Sequence, residues 1–146
     1  MSATAEQLSQ YMENYGWVFQ QTTSSSWQTG WQSDKRAYPL NVELNDTWIR
    51  FEVKPLVRFD VDWDAHPEIM RFILNLNNEC HLVRASLSEE GELSVILEVF
   101  NRKFGYDEFS EAIGVLGYYA ELLYEQVIDC IMELGIHLGY QNRFLA

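Results

Sequence analysis

Residues Ile49–Trp63 read IRFEVKPLVRFDVDW, and the alternation in this stretch sets the fold class. Ile49, Phe51, Val53, Val57, Phe59, Val61 and Trp63 are odd-numbered and apolar, whereas Arg50, Glu52, Lys54, Arg58, Asp60 and Asp62 are even-numbered and charged. A period of two marks a strand with one face on a core and the other in water. Unbroken, it would run roughly 50 Å at about 3.3 Å per residue, too far for a domain of this size. Pro55 lacks a ladder donor, so a kink, bulge or edge is expected there.

Working outward, Tyr38, Leu40, Val42 and Leu44 alternate in the same way. A two-residue turn at Asn45-Asp46 would set Val42 opposite Ile49, Leu40 opposite Phe51 and Tyr38 opposite Val53, apolar against apolar. Downstream, Val83, Ala85 and Leu87 face Leu93, Val95, Leu97 and Val99. A two-residue loop would put odd positions opposite even ones. A three-residue loop, Glu89-Glu90-Gly91, pairs Leu87 with Leu93 and Ala85 with Val95 and puts glycine at the left-handed position.

Helices frame these strands. Leu8, Tyr11, Met12 and Tyr15 form an i, i+3, i+4, i+7 stripe, Thr4 and Gln7 have capping-box spacing, and Gly16 is a natural stop. Trp17, Val18 and Phe19 suggest the start of a short strand. Pro67 opens a helix with Ile69, Phe72, Ile73 and Leu76 on one face. A last helix of about 27 residues is expected from Asp107, with Phe109, Ile113, Leu116, Ala120, Leu123, Val127, Cys130 and Leu134 on its seam and Gly135 as its end. The expected order is α-β-β-β-α-β-β-α: one α+β domain over residues 1–146, an antiparallel sheet with flanking helices.

Composition narrows the function. The 146 residues are 47% hydrophobic, with Lys+Arg 10 against Asp+Glu 22 and a net charge of −12. That balance argues against nucleic acid and anionic membranes as partners, since phosphate recognition needs Lys/Arg stripes. The longest uncharged stretch, Asn14–Ser33, is too rich in Gln, Ser and Thr to span a bilayer. No signal-peptide pattern opens the sequence, and two cysteines in a chain with an ample core point to a reducing cytoplasm. The charge is uneven: residues 35–58 carry a net +2, whereas residues 104–142 carry seven acids and no Lys or Arg.

Catalytic signatures are missing from the sequence: no Gly-rich phosphate loop, nucleophile elbow, zinc-protease histidine pair or CxxC. No cofactor or metal is expected. His66, His81 and His137 are scattered, and the adjacent Cys80 and His81 would point to opposite faces of a strand. Asp60, Asp62 and Asp64 resemble the opening of a calcium loop, but Ala65 and Arg71 replace the required Gly and Glu. With His66 they are the candidates for an alternative small-molecule or metal-dependent enzyme.

Three other groups are candidate interaction residues. Glu121, Glu125, Asp129 and Glu133 recur every four residues with no intervening base, each repulsion costing a few tenths of a kcal/mol. They make either a solvated face or a docking surface for a basic segment. Gly114 and Gly117, each costing up to about 1 kcal/mol inside a helix, lie beside Tyr118 and suit close approach of a second helix, within the monomer or across a dimer. Trp27 and Trp31, in the polar segment QQTTSSSWQTGWQS (residues 20–33), are interface anchors or plugs over the end of the sheet. That segment is either a long loop or an edge strand.

The stretch from Ile69 to Val127 resembles the YbjN-type domain and the wider group of type III secretion chaperone-like proteins. Leu74-Asn75-Leu76-Asn77 matches their helix-ending Leu-x-Leu-Asn element. Leu82–Phe100 matches a strand, acidic-Gly turn and strand, and a long acidic helix follows from Asp107. The resemblance implies a small acidic bacterial domain, often a homodimer, that works by binding protein. Its YbjN-type relatives are sometimes called sensory or regulatory. Residues 20–33 depart from the compact pattern of the group. The expected function is a cytoplasmic, non-catalytic, homodimeric protein-binding module, chaperone-like or regulatory.

Overall fold

A computed structural model describes residues 2–58 and 62–135. Helix α1 (Ala5–Tyr15) starts at a reciprocal cap: Gln7 N donates to Thr4 Oγ1 at 3.2 Å and Thr4 N donates to Gln7 Oε1 at 2.9 Å. It stops at Gly16, whose φ of 90° few other residues would accept.

Trp17–Phe19 form no strand, contrary to expectation. Residues 20–33 instead supply two, β1 (Gln20–Thr23) and β2 (Ser26–Gln32), at one edge of the sheet. The edge-strand reading of this segment holds, and four strands precede the second helix where three were expected. Strands β3 (Ala37–Leu44) and β4 (Trp48–Arg58) follow, then a single 3-10 turn (Trp63–Ala65), α2 (Pro67–Glu79), β5 (Val83–Leu87), β6 (Glu92–Phe100) and α3 (Tyr106–Glu133). The sheet order is β1-β2-β3-β4-β6-β5, antiparallel throughout.

The two hairpins test the register argument differently. The second matches it: Leu87 lies opposite Leu93, Ala85 opposite Val95, and Gly91 has φ 83°. The first is shifted by two residues, with Leu44 opposite Ile49, Val42 opposite Phe51 and Leu40 opposite Val53. Asn45 causes the shift. Its Oδ1 accepts from Thr47 N (2.8 Å) and Trp48 N (2.6 Å), and its own N–H donates to Trp48 O, so Asp46-Thr47 form the turn. An even shift keeps every side chain on its face, so hydrophobic pairing alone cannot detect it.

Around Pro55 the ladder slips between Val53, opposite Val95, and Val57, opposite Leu93, giving the expected bulge. Leu56 and Val57 are both buried there. Phe59, Asp60 and Val61 lie outside the described residues.

Ile49, Phe51, Val53, Val95 and Leu97 form the inner face of the sheet, buried beneath α3. The outer face carries an ion-pair lattice: Arg50 with Glu52 (3.8 Å) and Glu98 (3.9 Å), and Arg84 with Glu98. Along α3 the expected seam holds from Phe109 to Val127 and then rotates. Ile128 and Ile131 become buried, while Leu134 is 43% exposed at the cap. A seven-residue repeat on a 3.6-residue helix drifts by about 20° per heptad, which accounts for the turn.

Candidate protein-binding surfaces

The acidic stripe of α3 is already partly occupied. Ser33 closes a turn onto Arg36, its N–H donating to Arg36 O at 2.9 Å and its Oγ accepting from the N–H groups of Lys35 and Arg36. This turn aims two cations at the helix. Lys35 Nζ meets Glu125 Oε1 at 2.5 Å, and Arg36 Nη1 meets Glu121 Oε2 at 2.6 Å. Arg36 also donates to Tyr38 Oη at 3.1 Å and lies 3.6 Å over the Tyr124 ring. Only 8% of its side chain is exposed. Its Nε and Glu121 Oε1 are buried with no hydrogen-bond partner.

The electrostatics follow the contacts. Hydrogen bonding to Glu125 holds the Lys35 ammonium above its ordinary value, and Lys35 in turn holds the Glu125 carboxyl below its own. Burial pulls the Arg36 guanidinium down, but Tyr38 and Glu121 outweigh it and the net shift is upward. Burial pushes the Tyr38 hydroxyl well up. As a docking site for an external basic segment, then, Glu121 and Glu125 are engaged within the chain, while Asp129 and Glu133 remain exposed. The sequence held a signal for this: its most basic stretch begins at Lys35-Arg36, adjacent cations suited to carboxylates one helical turn apart.

Trp27 and Trp31 pack against other parts of the chain. Trp27 is fully buried, its Nε1 donating to Ser9 Oγ at 2.9 Å, which corrects its reading as a partner-facing anchor. Trp31 is half-buried, 5.0 Å from Tyr38 and 6.4 Å from Trp17 between ring centroids, with Cζ2 3.9 Å from where a Cβ on Gly117 would stand. Gly117 therefore faces the chain's own Trp31. Gly114 differs: nothing lies within 4 Å of a Cβ built there, so packing inside the chain does not require glycine. Tyr118, one turn on, is 65% exposed.

Beside this face lies an apolar groove of about 240 Å³. Leu97, Val99, Phe104, Ala112 and Val115 line it together with Leu82 and Phe100, which are 73% and 56% exposed. Glu108 and Glu111 stand on its α3 side, with Arg102 also at the rim. Trp48 stacks on Phe100 at 4.7 Å and extends the exposed apolar surface. Leu82 has φ 69°, an uncommon conformation for a leucine. Neither Leu82 nor Phe100 stood out in the sequence, where both read as ends of strands.

Asp60 lies outside the described residues. Asp62 Oδ1 accepts from Asp64 N at 3.1 Å, closing a local turn, and His66 Nδ1 is 3.4 Å from Glu68. Among the described residues no three His, Cys, Asp or Glu side chains come together as metal ligands would. The Asn77 of the helix-ending motif acts on the sheet. Its amide accepts from Ala85 N (2.6 Å) and donates to Ala85 O (3.2 Å), covering the middle of the β5 edge. No helix among the described residues is long and apolar enough to cross a membrane.

Comparison with known proteins finds likeness in structure and not in sequence. No family profile matches the chain, and no curated protein matches it. YbjN, described as a putative transcription regulator from E. coli, superposes with a TM-score of 0.63 at 14% identity, over 90% of this chain and 94% of that one. SpcU–ExoU from the Pseudomonas aeruginosa type III secretion system gives 0.55 at 13%, over 80% and 93%. The Yersinia pestis secretion chaperone SycH, solved with a fragment of YscM2, gives 0.51 at 11%, over 82% and 98%. The chain thus has the α+β fold of YbjN and the type III secretion chaperones.

Proposed function

We propose that residues 1–146 form one non-catalytic, protein-binding domain, chaperone-like or regulatory, that works in the cytoplasm as a homodimer. The observation that carries this reading is apolar surface left uncovered by folding: Leu82 and Phe100, each more than half exposed, line one groove, and Tyr118, also more than half exposed, lies on α3, the helix that supplies Ala112 and Val115 to that groove. Exposed apolar patches on a well-packed domain mark interaction sites. SpcU and SycH, which share the fold, were solved with protein partners. The free thiols of Cys80 and Cys130 suit a reducing compartment.

In this reading the second copy packs against Gly114 and Tyr118, where an unhindered glycine lets a helix approach closely. Asp129 and Glu133 remain to steer a basic partner. A photo-crosslinking residue at position 118 or at Gln28, on the polar face of the sheet, tests the proposal in the source cell. A discrete protein adduct is expected from 118 alone. Adducts from neither position, or equally from both, would refute it. Sedimentation at micromolar concentration reads the dimer, and a strict monomer removes that part.

A further inference from the structure

Leu82 carries two unfavourable features at once. Its backbone is left-handed, a region L side chains avoid, and its apolar side chain is 73% exposed. Packing explains neither, since glycine would relieve the backbone and a polar residue would suit the exposure. What Leu82 does is wall the groove together with Phe100. Strain kept at a surface position points to use by a ligand.

We propose that this groove seats an amphipathic segment of a partner protein, apolar side chains between Leu82 and Phe100 and a basic residue against Glu111. The proposal rests on the protein-binding reading above and names the site and the partner's chemistry. Charge selects the occupant. Helix α3 has no Lys or Arg, and Glu108 is committed to its cap, accepting from Gly105 N at 2.9 Å. Glu111 is therefore the free carboxylate on that wall, and the net charge of −12 repels acidic segments. Arg102, 5.5 Å from the Phe100 ring, gives the rim an opposite pole and so a direction to the bound segment. The groove has room for one or two side chains, the scale of an anchor in helix-in-groove recognition.

The test is fluorescence anisotropy of the full chain with a labelled peptide of about fourteen residues, leucines on one helical face and lysines on the other. It should bind at least about tenfold more tightly than a glutamate counterpart or a scrambled lysine peptide. Leu82→Gly should weaken it about tenfold while leaving the thermal midpoint unchanged or higher, Phe100→Ser should weaken it similarly, and Glu111→Lys should shift preference toward the glutamate peptide. Unchanged binding by both Leu82→Gly and Phe100→Ser overturns the proposal, as does equal binding of the scrambled peptide. Loss of self-association in those variants with peptide binding intact assigns the groove to a second copy and overturns it too. If no peptide binds while the crosslinker at 118 still captures protein, the groove proposal fails and the protein-binding reading stands.

Discussion

Asn101 ties three distant segments together. Its Oδ1 accepts from Ala3 N at 2.7 Å, its Nδ2 donates to Ala3 O and Asn45 O, and its own N–H donates to Thr47 O at 2.8 Å. The residue is 4% exposed. Asn101→Ala would leave buried amide groups unpaired and should cost about 2–3 kcal/mol, measured by urea unfolding. Tyr38 makes a pH-dependent contribution. Because burial raises its folded value, its stabilisation is complete below the ordinary tyrosine range and is lost as pH rises through that folded value. Unfolding free energy should therefore fall above about pH 10, and Tyr38→Phe should flatten that part of the slope. The Lys35–Glu125 contact has the opposite acid limit: the lowered Glu125 value means its contribution disappears as pH falls through the carboxylate range.

At the scale of elements, helix α3 pays for a glycine that its own packing does not need. Gly114→Ala should raise stability by about 0.5–1 kcal/mol in chemical unfolding, because a Cβ there meets nothing. If a second copy packs at that point, the same variant should weaken self-association in sedimentation. Gly30 behaves oppositely: a Cβ would stand 2.6 Å from Tyr38 O in the neighbouring strand, so Gly30→Ala should destabilise by more than about 1 kcal/mol. The hairpins show how far local pattern reaches. Gly91 and the parity of Leu87 and Leu93 selected one loop in the second. In the first, parity left two registers equivalent, and the Asn45 side chain chose between them.

For the whole molecule the governing quantity is a net charge of −12. Repulsion among carboxylates should make the unfolding free energy rise with salt between about 10 and 150 mM, as the Debye length shrinks from about 30 to 8 Å. A fall would mean that the Lys35, Arg36 and outer-face ion pairs outweigh the repulsion. Edges are managed at the same scale: Asn77 blocks the middle of β5, and β1 is only four residues long. The alternation from Tyr38 to Val57 and the seam from Phe109 to Val127 determined by themselves the α+β class, the buried faces and most element boundaries, because period and caps act over a few residues. Tertiary structure alone decided that Trp27 is core, that Glu121 and Glu125 are the members of the acidic stripe that Arg36 and Lys35 meet, and that Leu82 stands exposed beside Phe100. Each of those outcomes depends on groups distant in sequence meeting in space, and neither parity nor helical spacing carries that information.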